Sequence, residues 1–320
     1  MEKNKSPRSQ ESKVKLIRVL VAHEGQRIDN YLLRYLKGVP RSRIYRIIRR
    51  GEVRINKKRC KPESKLHLGD EIRIPPVNVS SGPAIAKPSP GLAGLLLESI
   101  LFENEDLIIL NKPAGLAVHG GTGIRLGLIE ALRQLKPEWS GLELAHRLDR
   151  DTSGCILISK NSIFLKEIQA KFKAREIRKC YLALVVGNWP SSLTEVDVPL
   201  QKNELSSGER IVKVAAEGKD SLTYFKTIAA FSQATLVEAR PLTGRTHQIR
   251  VHCQYAGFPI LGDEKYGAKT VDVVLKGHKN LCLHASSIQF EYGLANQKII
   301  AEAALNLQIQ GVLENLKNIQ

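Results

Sequence analysis

His146-Arg147-Leu148-Asp149-Arg150-Asp151-Thr152-Ser153-Gly154 is a polar stretch lodged between apolar segments, and the run behind it, Cys155-Ile156-Leu157-Ile158-Ser159, reads as a buried strand. A polar loop with rigid flanks can hold charged side chains facing a cleft. Two aspartates stand here among two arginines and a histidine. The same residues also fit a surface ion-pair loop with a turn at Thr152-Ser153-Gly154, and their spacing alone identifies no reaction.

Working outward, Asp106-Leu107-Ile108-Ile109-Leu110-Asn111-Lys112 is a second short apolar run, ended by Pro113-Ala114-Gly115 as a strand running into a turn. Downstream of the polar loop, Asn161 is placed to cap a helix on which Phe164, Ile168 and Phe172 stack at i, i+4 and i+8, above Lys166, Lys171 and Lys173. Tyr181 to Val186, Ser221 to Ala230 and Ala234 to Ala239 are further strands, the last two joined as a hairpin at Ser232-Gln233. Strands outnumber helices and adjacent ones suggest antiparallel pairing. The expectation is an α+β domain with a mixed, mainly antiparallel sheet flanked by helices, over residues 95–320.

The chain has 320 residues, enough for that core and a small accessory domain, and a formal net charge of +17. Such a charge repels itself in a compact fold unless a polyanion sits beside it, and nucleic acid is the first expectation. No stretch approaches the roughly 20 consecutive apolar residues of a membrane-spanning helix. Met1-Glu2-Lys3-Asn4-Lys5-Ser6 is basic with no apolar core behind it, so a secretory signal is not expected and the location expected is cytoplasmic. The five cysteines, Cys60, Cys155, Cys180, Cys253 and Cys282, are scattered and odd in number, which suggests neither a zinc knuckle nor a disulfide framework. His247, His252 and Cys253 superficially suggest a metal site, but i, i+5 spacing does not put both histidines on one helical face.

Residues 1–14 read as a disordered basic arm, and 77–94, rich in Pro, Ser and Gly, as a linker. Between them, Ile28, Leu32 and Leu36 recur at helical spacing. A second helix follows, with Ile44, Ile47 and Ile48 on one face and arginines around the other, stopped by Gly51. Val53 to Asn56 and Glu71 to Ile74 then alternate as half-buried strands, with Gly69-Asp70 turning into the second. Helix, arginine-loaded helix and short β-ribbon in this order resemble the S4 RNA-binding domain over residues 24–76. The resemblance implies that Arg41, Arg43, Arg46, Arg49 and Arg50 meet phosphates, with salt-sensitive and largely sequence-blind affinity.

The stretch 146–154 is similar to the HRLDxxTSG signature of RluA/RluC/RluD-type pseudouridine synthases. Four other segments agree in order: Leu110 to Gly115 with Val118-His119-Gly120, Lys179 to Ala183, Gly244-Arg245-Thr246-His247-Gln248-Ile249-Arg250-Val251-His252, and Leu283-His284-Ala285. Within that family the match looks closest to the RluC type, on Pro40 to Ile55 and Ser207 to Val212. The resemblance implies the pseudouridine synthase fold and isomerisation of uridines in 23S-type large-subunit ribosomal RNA, several separate uridines if the RluC-like features hold. It implies no cofactor and no metal, which suits a reaction with no net redox change or group transfer, and no obligate protein partner. A monomer is the default expectation.

By resemblance the catalytic carboxylate is Asp149, not Asp151, and Arg147 fills the space left by the extruded uridine, the plainer alternative being an arginine that only pairs with Asp149 or Asp151. Tyr181, otherwise a core aromatic, is expected to stack on the uracil or relay a proton. Arg245, the first arginine of its motif, is expected against Asp149, the two acting as a unit. Leu283 is expected to pack beside the tyrosine, and His284 and His119 to be framework residues. Lys112 and Arg250 are candidates to reach phosphates. Two rival readings follow from the same features: a noncatalytic RNA-binding or ribosome-assembly factor, and an aspartate-based nucleosidase that would release free uracil.

Overall fold

The computed structural model describes residues 14–20, 23–36, 39–77, 86–121, 124–204, 210–267 and 280–318. The expected arm therefore lies almost wholly outside the described residues, as do Ser207 to Glu209. The chain divides into two units, Met1–Ala84 and Ile85–Gln320.

In the first unit β1 (Lys15–Arg18), α1 (Ile28–Tyr35), α2 (Arg41–Arg49), β2 (Arg54–Ile55), β3 (Lys58–Arg59) and β4 (Glu71–Ile74) follow in order, and the antiparallel strands are arranged β1-β4-β2-β3. Ile28 and Leu32 of α1 pack with Ile44, Ile47 and Ile48 of α2 and with Ile72 and Ile74. Each such fully buried side chain contributes about 1.5–3 kcal/mol. The apolar stripe of α2 is thus spent on the core, which leaves its arginines outside. Strand β1 precedes the expected start at 24: its LIR sequence is short and exposed, so burial left no pattern to read.

The second unit has a ten-stranded sheet. Its strands are β5 (Ile100–Glu103), β6 (Leu107–Lys112), β7 (Glu143–Leu144), β8 (Ser153–Ser159), β9 (Arg178–Val186), β10 (Glu195–Asp197), β13 (Leu222–Ala230), β14 (Ala234–Pro241), β15 (Leu283–Tyr292) and β16 (Gln297–Glu302). The main path runs β10-β13-β14-β9-β15-β8-β6-β5, with β16 on β15 and β7 on β8; β11 (Leu200–Glu204) and β12 (Arg210–Val214) form a separate hairpin. All pairs are antiparallel except β15 with β8, so the mixed, mainly antiparallel sheet expected from sequence is present. Helices α3 (Pro90–Glu98), α4 (Leu128–Leu132), α5 (Ser162–Ala174), α6 (Gln248–Tyr255) and α7 (Leu307–Asn318) accompany the sheet.

The cap expected of Asn161 is made, its Oδ1 accepting from Phe164 N–H at 2.9 Å. The linker expected over 77–94 stops sooner, because Ser89 caps α3, accepting from Leu92 N–H, with Pro90 in the first turn. The Pro-Gly richness that suggested a linker is there a helix start. Among the described residues no helix is long and apolar enough to cross a membrane.

Candidate active site

The loop 145–152 is fixed at both ends by buried cations or their neutral forms. At its start the Leu157 N–H donates to His146 Nε2 at 2.9 Å; burial pushes this imidazole down to about 3, so the ring is a neutral acceptor. At its end the fully buried Lys112 donates to the carbonyls of Pro113, Leu116 and Arg150 at 2.8–2.9 Å. Burial lowers its ammonium to about 7 against the opposing charges of Asp151 and Asp149. Lys112 therefore tethers the loop from inside and presents nothing to a phosphate, contrary to the expectation from sequence. Gly154, with φ of 105°, lies so close to the Ala285 backbone that a Cβ would collide with it, which explains why a glycine ends the loop.

Asp149, 20% exposed, receives Arg250 Nη1 at 3.1 Å on Oδ2. Arg250 is held in turn by bidentate hydrogen bonds of 2.7 Å to Asp263, whose side chain is fully buried, and stacks on Tyr266 at 5.1 Å. Burial would weaken the guanidinium's hold on its proton, but Asp263 and then Asp149 raise it instead. Asp263 Oδ1 also accepts the Lys265 and Tyr266 N–H groups. The cation facing Asp149 is thus locked in orientation before any substrate arrives.

A second side chain lies near the same carboxylate oxygen. His247 Nε2 stands 3.8 Å from Asp149 Oδ2. The backbone there is left-handed, φ 52°, immediately before α6. The Val212 N–H donates to the Tyr266 hydroxyl at 2.9 Å, and that hydroxyl is 2.8 Å from His247 Nδ1. Burial keeps the imidazole below its usual value against the pull of Asp149. When the phenol donates to Nδ1, the neutral ring carries its proton on Nε2, facing Asp149.

Asp149, His247 and Arg250 line a cleft of about 590 Å³, with Arg147, Lys179, Tyr181, Arg245 and Leu283. Tyr181 on β9 keeps its phenol protonated well above the usual range through burial first and the charge of Asp149 second. Leu283 is paired with Ala183, two residues along β9 from Tyr181, and Leu283 and Tyr181 both line this cleft. Arg147 is exposed and its side chain, among the described residues, makes no hydrogen bond or ion pair, whereas Asp149 is engaged by Arg250 and Asp151 by Arg150 at 3.0 Å. A second concavity of about 480 Å³ shares Arg147, Asp149, His247 and Arg250. Asp149 therefore sits at the junction of two openings.

Residues 106–255 match the profile of the family described as RNA pseudouridylate synthase, and residues 26–72 match the S4 domain. The ribosomal large subunit pseudouridine synthase C of Haemophilus influenzae is 51% identical over 309 residues, covering 96% of each chain. This chain belongs to the RNA pseudouridylate synthase family. The synthase of the same description from Escherichia coli K12 is 48% identical over 311 residues, 95% of this chain and 97% of its own. Among solved structures, human RNA pseudouridylate synthase domain containing 4 superposes with a TM-score of 0.60 at 27% identity, covering 71% of this chain and 96% of that one.

In this pseudouridine synthase the ion pair expected of Arg245 is made by Arg250. Arg245 is an exposed rim residue whose Nε donates to the Asp220 carbonyl at 3.0 Å, while its own N–H caps onto Gln248. It precedes α6, whereas Arg250 lies within the helix and is carried toward Asp149; both arginines are in the motif, and sequence order does not say which one turns inward. Arg250 is accordingly no surface phosphate contact. Asp263 and Tyr266 went unread because Gly262-Asp263-Glu264-Lys265-Tyr266-Gly267 has no periodicity. Its one signal is the pair of flanking glycines, each pressed against backbone.

His252 bonds Ser221 at 2.8 Å, away from His247, and Cys253 is fully buried. Among the described residues no three His, Cys, Asp or Glu side chains are arranged to hold a metal. His284 bridges Ser153 and the Ala303 carbonyl inside the sheet, and His119 is mostly exposed, 4.0 Å from Glu130. In the first unit Arg43, Arg46, Arg49 and Arg50 line one concavity of about 680 Å³, and Arg41 lies apart from it, bonded to Tyr45 at 3.2 Å.

Proposed function

We propose that this synthase converts uridines of large-subunit ribosomal RNA to pseudouridine, with Asp149 as the reacting carboxylate. The observation that carries this reading is the part-open Asp149 carboxylate, oriented by a buried arginine that is itself clamped by Asp263. The substrate class is supported by the names of the relatives and by the S4 domain with its arginine-lined concavity.

A uridine stacked in folded RNA is out of reach of such a cleft, so it must be flipped out. Arg147, without an internal partner among the described residues, is free to occupy the vacated stack. Tyr181 presents an apolar ring to the uracil and an un-ionised hydroxyl for proton relay. In the route we favour, the C1′–N1 bond breaks with its electron pair leaving on uracil N1, and Asp149 takes the 2′ proton to leave a glycal-like sugar. The uracil turns, C5 bonds C1′ as Asp149 returns the proton to C2′, and the C5 proton is lost as N1 gains one. Atoms and charge balance without a co-reactant, which suits an enzyme that needs no cofactor. Arg250 holds the carboxylate through both proton transfers, with the His247 ring beside it. We place the enzyme in the cytoplasm, acting as a monomer.

The test incubates wild-type and Asp149→Ala protein with an unmodified large-subunit RNA transcript and maps pseudouridine by carbodiimide labelling and reverse-transcription stops. Stops at particular uridines from wild type alone are expected. Product from the variant would reject the assignment of Asp149, and free uracil from wild type would favour a nucleosidase.

A further inference from the structure

Beside the catalytic cleft lies another concavity, of about 510 Å³, and the two share Arg175, Lys179, Pro241 and Leu242 in their walls. It opens onto the β13, β14 and β9 part of the sheet, where Tyr224 is directly opposite Arg240 in the pairing of β13 with β14. Tyr224 is 44% exposed in mid-sheet, a costly place to leave a large ring that nothing among the described residues covers. Arg178 is also exposed, and the side chain of Arg240 is 64% exposed although it touches Glu238. Four cationic side chains thus face one carboxylate.

At the junction of the two concavities Arg175 caps α5 in the left-handed conformation, φ 64° and ψ 26°, a position where glycine is the usual residue. Arg175 thus stands in the wall that the two concavities share. Lys179, beside it, points at the Thr243 carbonyl at 3.4 Å, and although burial lowers it to about 8 it stays mainly charged at neutral pH. Positive charge with an exposed aromatic face is the pattern that holds single-stranded nucleic acid, phosphates on the cations and a base on the ring.

We propose that the single-stranded stretch of substrate RNA adjoining the flipped uridine leaves the cleft past Arg175 and Leu242 and crosses β14 and β13, with Arg178 and Arg240 on its phosphates and one base stacked on Tyr224. This rests on the reading of the Asp149 cleft as the pseudouridine-forming site. The groove adds affinity for RNA that continues beyond the target and takes no part in bond making.

The test uses the full chain with an unmodified large-subunit RNA transcript, comparing wild type with Tyr224→Ala and with Arg178→Glu/Arg240→Glu. Each variant is expected to raise KM about tenfold, to leave the single-turnover rate at saturating enzyme within about twofold, and, for the double variant, to flatten the salt dependence of binding by about one to two units of slope. Unchanged KM and slope would overturn the proposal. A loss of the saturating rate would overturn it too, since the groove would then serve the cleft itself. Independently of the variants, 4-thiouridine placed beside the target should crosslink to β13 or β14 in wild type and in Asp149→Ala; crosslinks confined elsewhere reject the path. Failure of wild type to form any pseudouridine would instead reject the reading of the cleft.

Discussion

Helices α2 and α6 both carry arginine, and the surroundings of those arginines differ in kind. On α2 the guanidinium groups of Arg43, Arg46 and Arg49 stand outside a core filled by Ile44, Ile47 and Ile48, around an open concavity. On α6 Arg250 is 12% exposed, clamped by Asp263, stacked on Tyr266 and aimed at Asp149. Exposed cations act additively, through charge, and are screened by salt. A buried one acts through position, and removing it strands a buried carboxylate. The comparison predicts two kinds of failure: graded loss of affinity from α2, and abrupt loss of turnover from α6.

The sharpest break comes from Arg250→Met. Leaving Asp263 and Asp149 without their cation costs about 3–5 kcal/mol, which corresponds to a fall of about a thousandfold in single-turnover rate, a lowered Tm, or both. Arg245→Ala should stay within about threefold of wild type in the same assay. Equal losses from the two would erase the distinction between them.

Lys112→Met probes the tether behind the loop. Orphaning three carbonyls should cost about 2 kcal/mol of stability. The lysine also leaves a pH signature: its folded pKa, about 7, is below its unfolded value, so the unfolded chain binds more protons between about 7 and 10. Stability contributed at this site therefore rises with pH across that window and is flat below it. Thermal unfolding followed against pH should show wild type gaining on Lys112→Met from pH 7 upward; parallel curves would mean that the lysine is not buried.

A smaller effect is expected from His247→Leu, about tenfold in turnover with little change in KM, since it removes the imidazole beside Asp149 and leaves Arg250. Tyr266→Phe should follow in the same direction by removing the hydroxyl that holds His247 Nδ1. Smallest are single Arg→Ala changes at Arg43, Arg46 or Arg49: KM should rise about two- to fivefold each, turnover should hold, and the salt slope should drop by about one for each arginine removed. A turnover defect there would show that α2 does more than attract RNA.

The same contrast explains what was legible in the sequence. The α2 arginines were readable because the 3.6-residue period separates Ile44, Ile47 and Ile48 from them with no tertiary information. The strands β6, β8, β9, β13 and β14 were readable because each is a short β-rich run bounded by turn residues. The Arg250 site was not, because its geometry depends on Asp263 and Tyr266 arriving from a segment without periodicity, and on where α6 begins. Lys112 looked like a surface lysine because sequence does not record burial: a lysine ending an apolar strand faces solvent or carbonyls according to the loop above it. Strand β1 carries too weak a pattern for recognition, whereas helix α7 places Ile309, Val312, Leu313 and Leu316 at helical spacing, a signal that the reading of the sequence passed over.

The central claim is that Asp149 and Arg250 work as one unit, and a double-mutant cycle tests it most directly. Pseudouridine formation would be followed at saturating enzyme for wild type, Asp149→Asn, Arg250→Met and the double variant. The account predicts that the double variant is no worse than Asp149→Asn alone, because the arginine acts through that carboxylate. Losses that add in free energy would contradict it, and would return Arg250 to a role apart from Asp149.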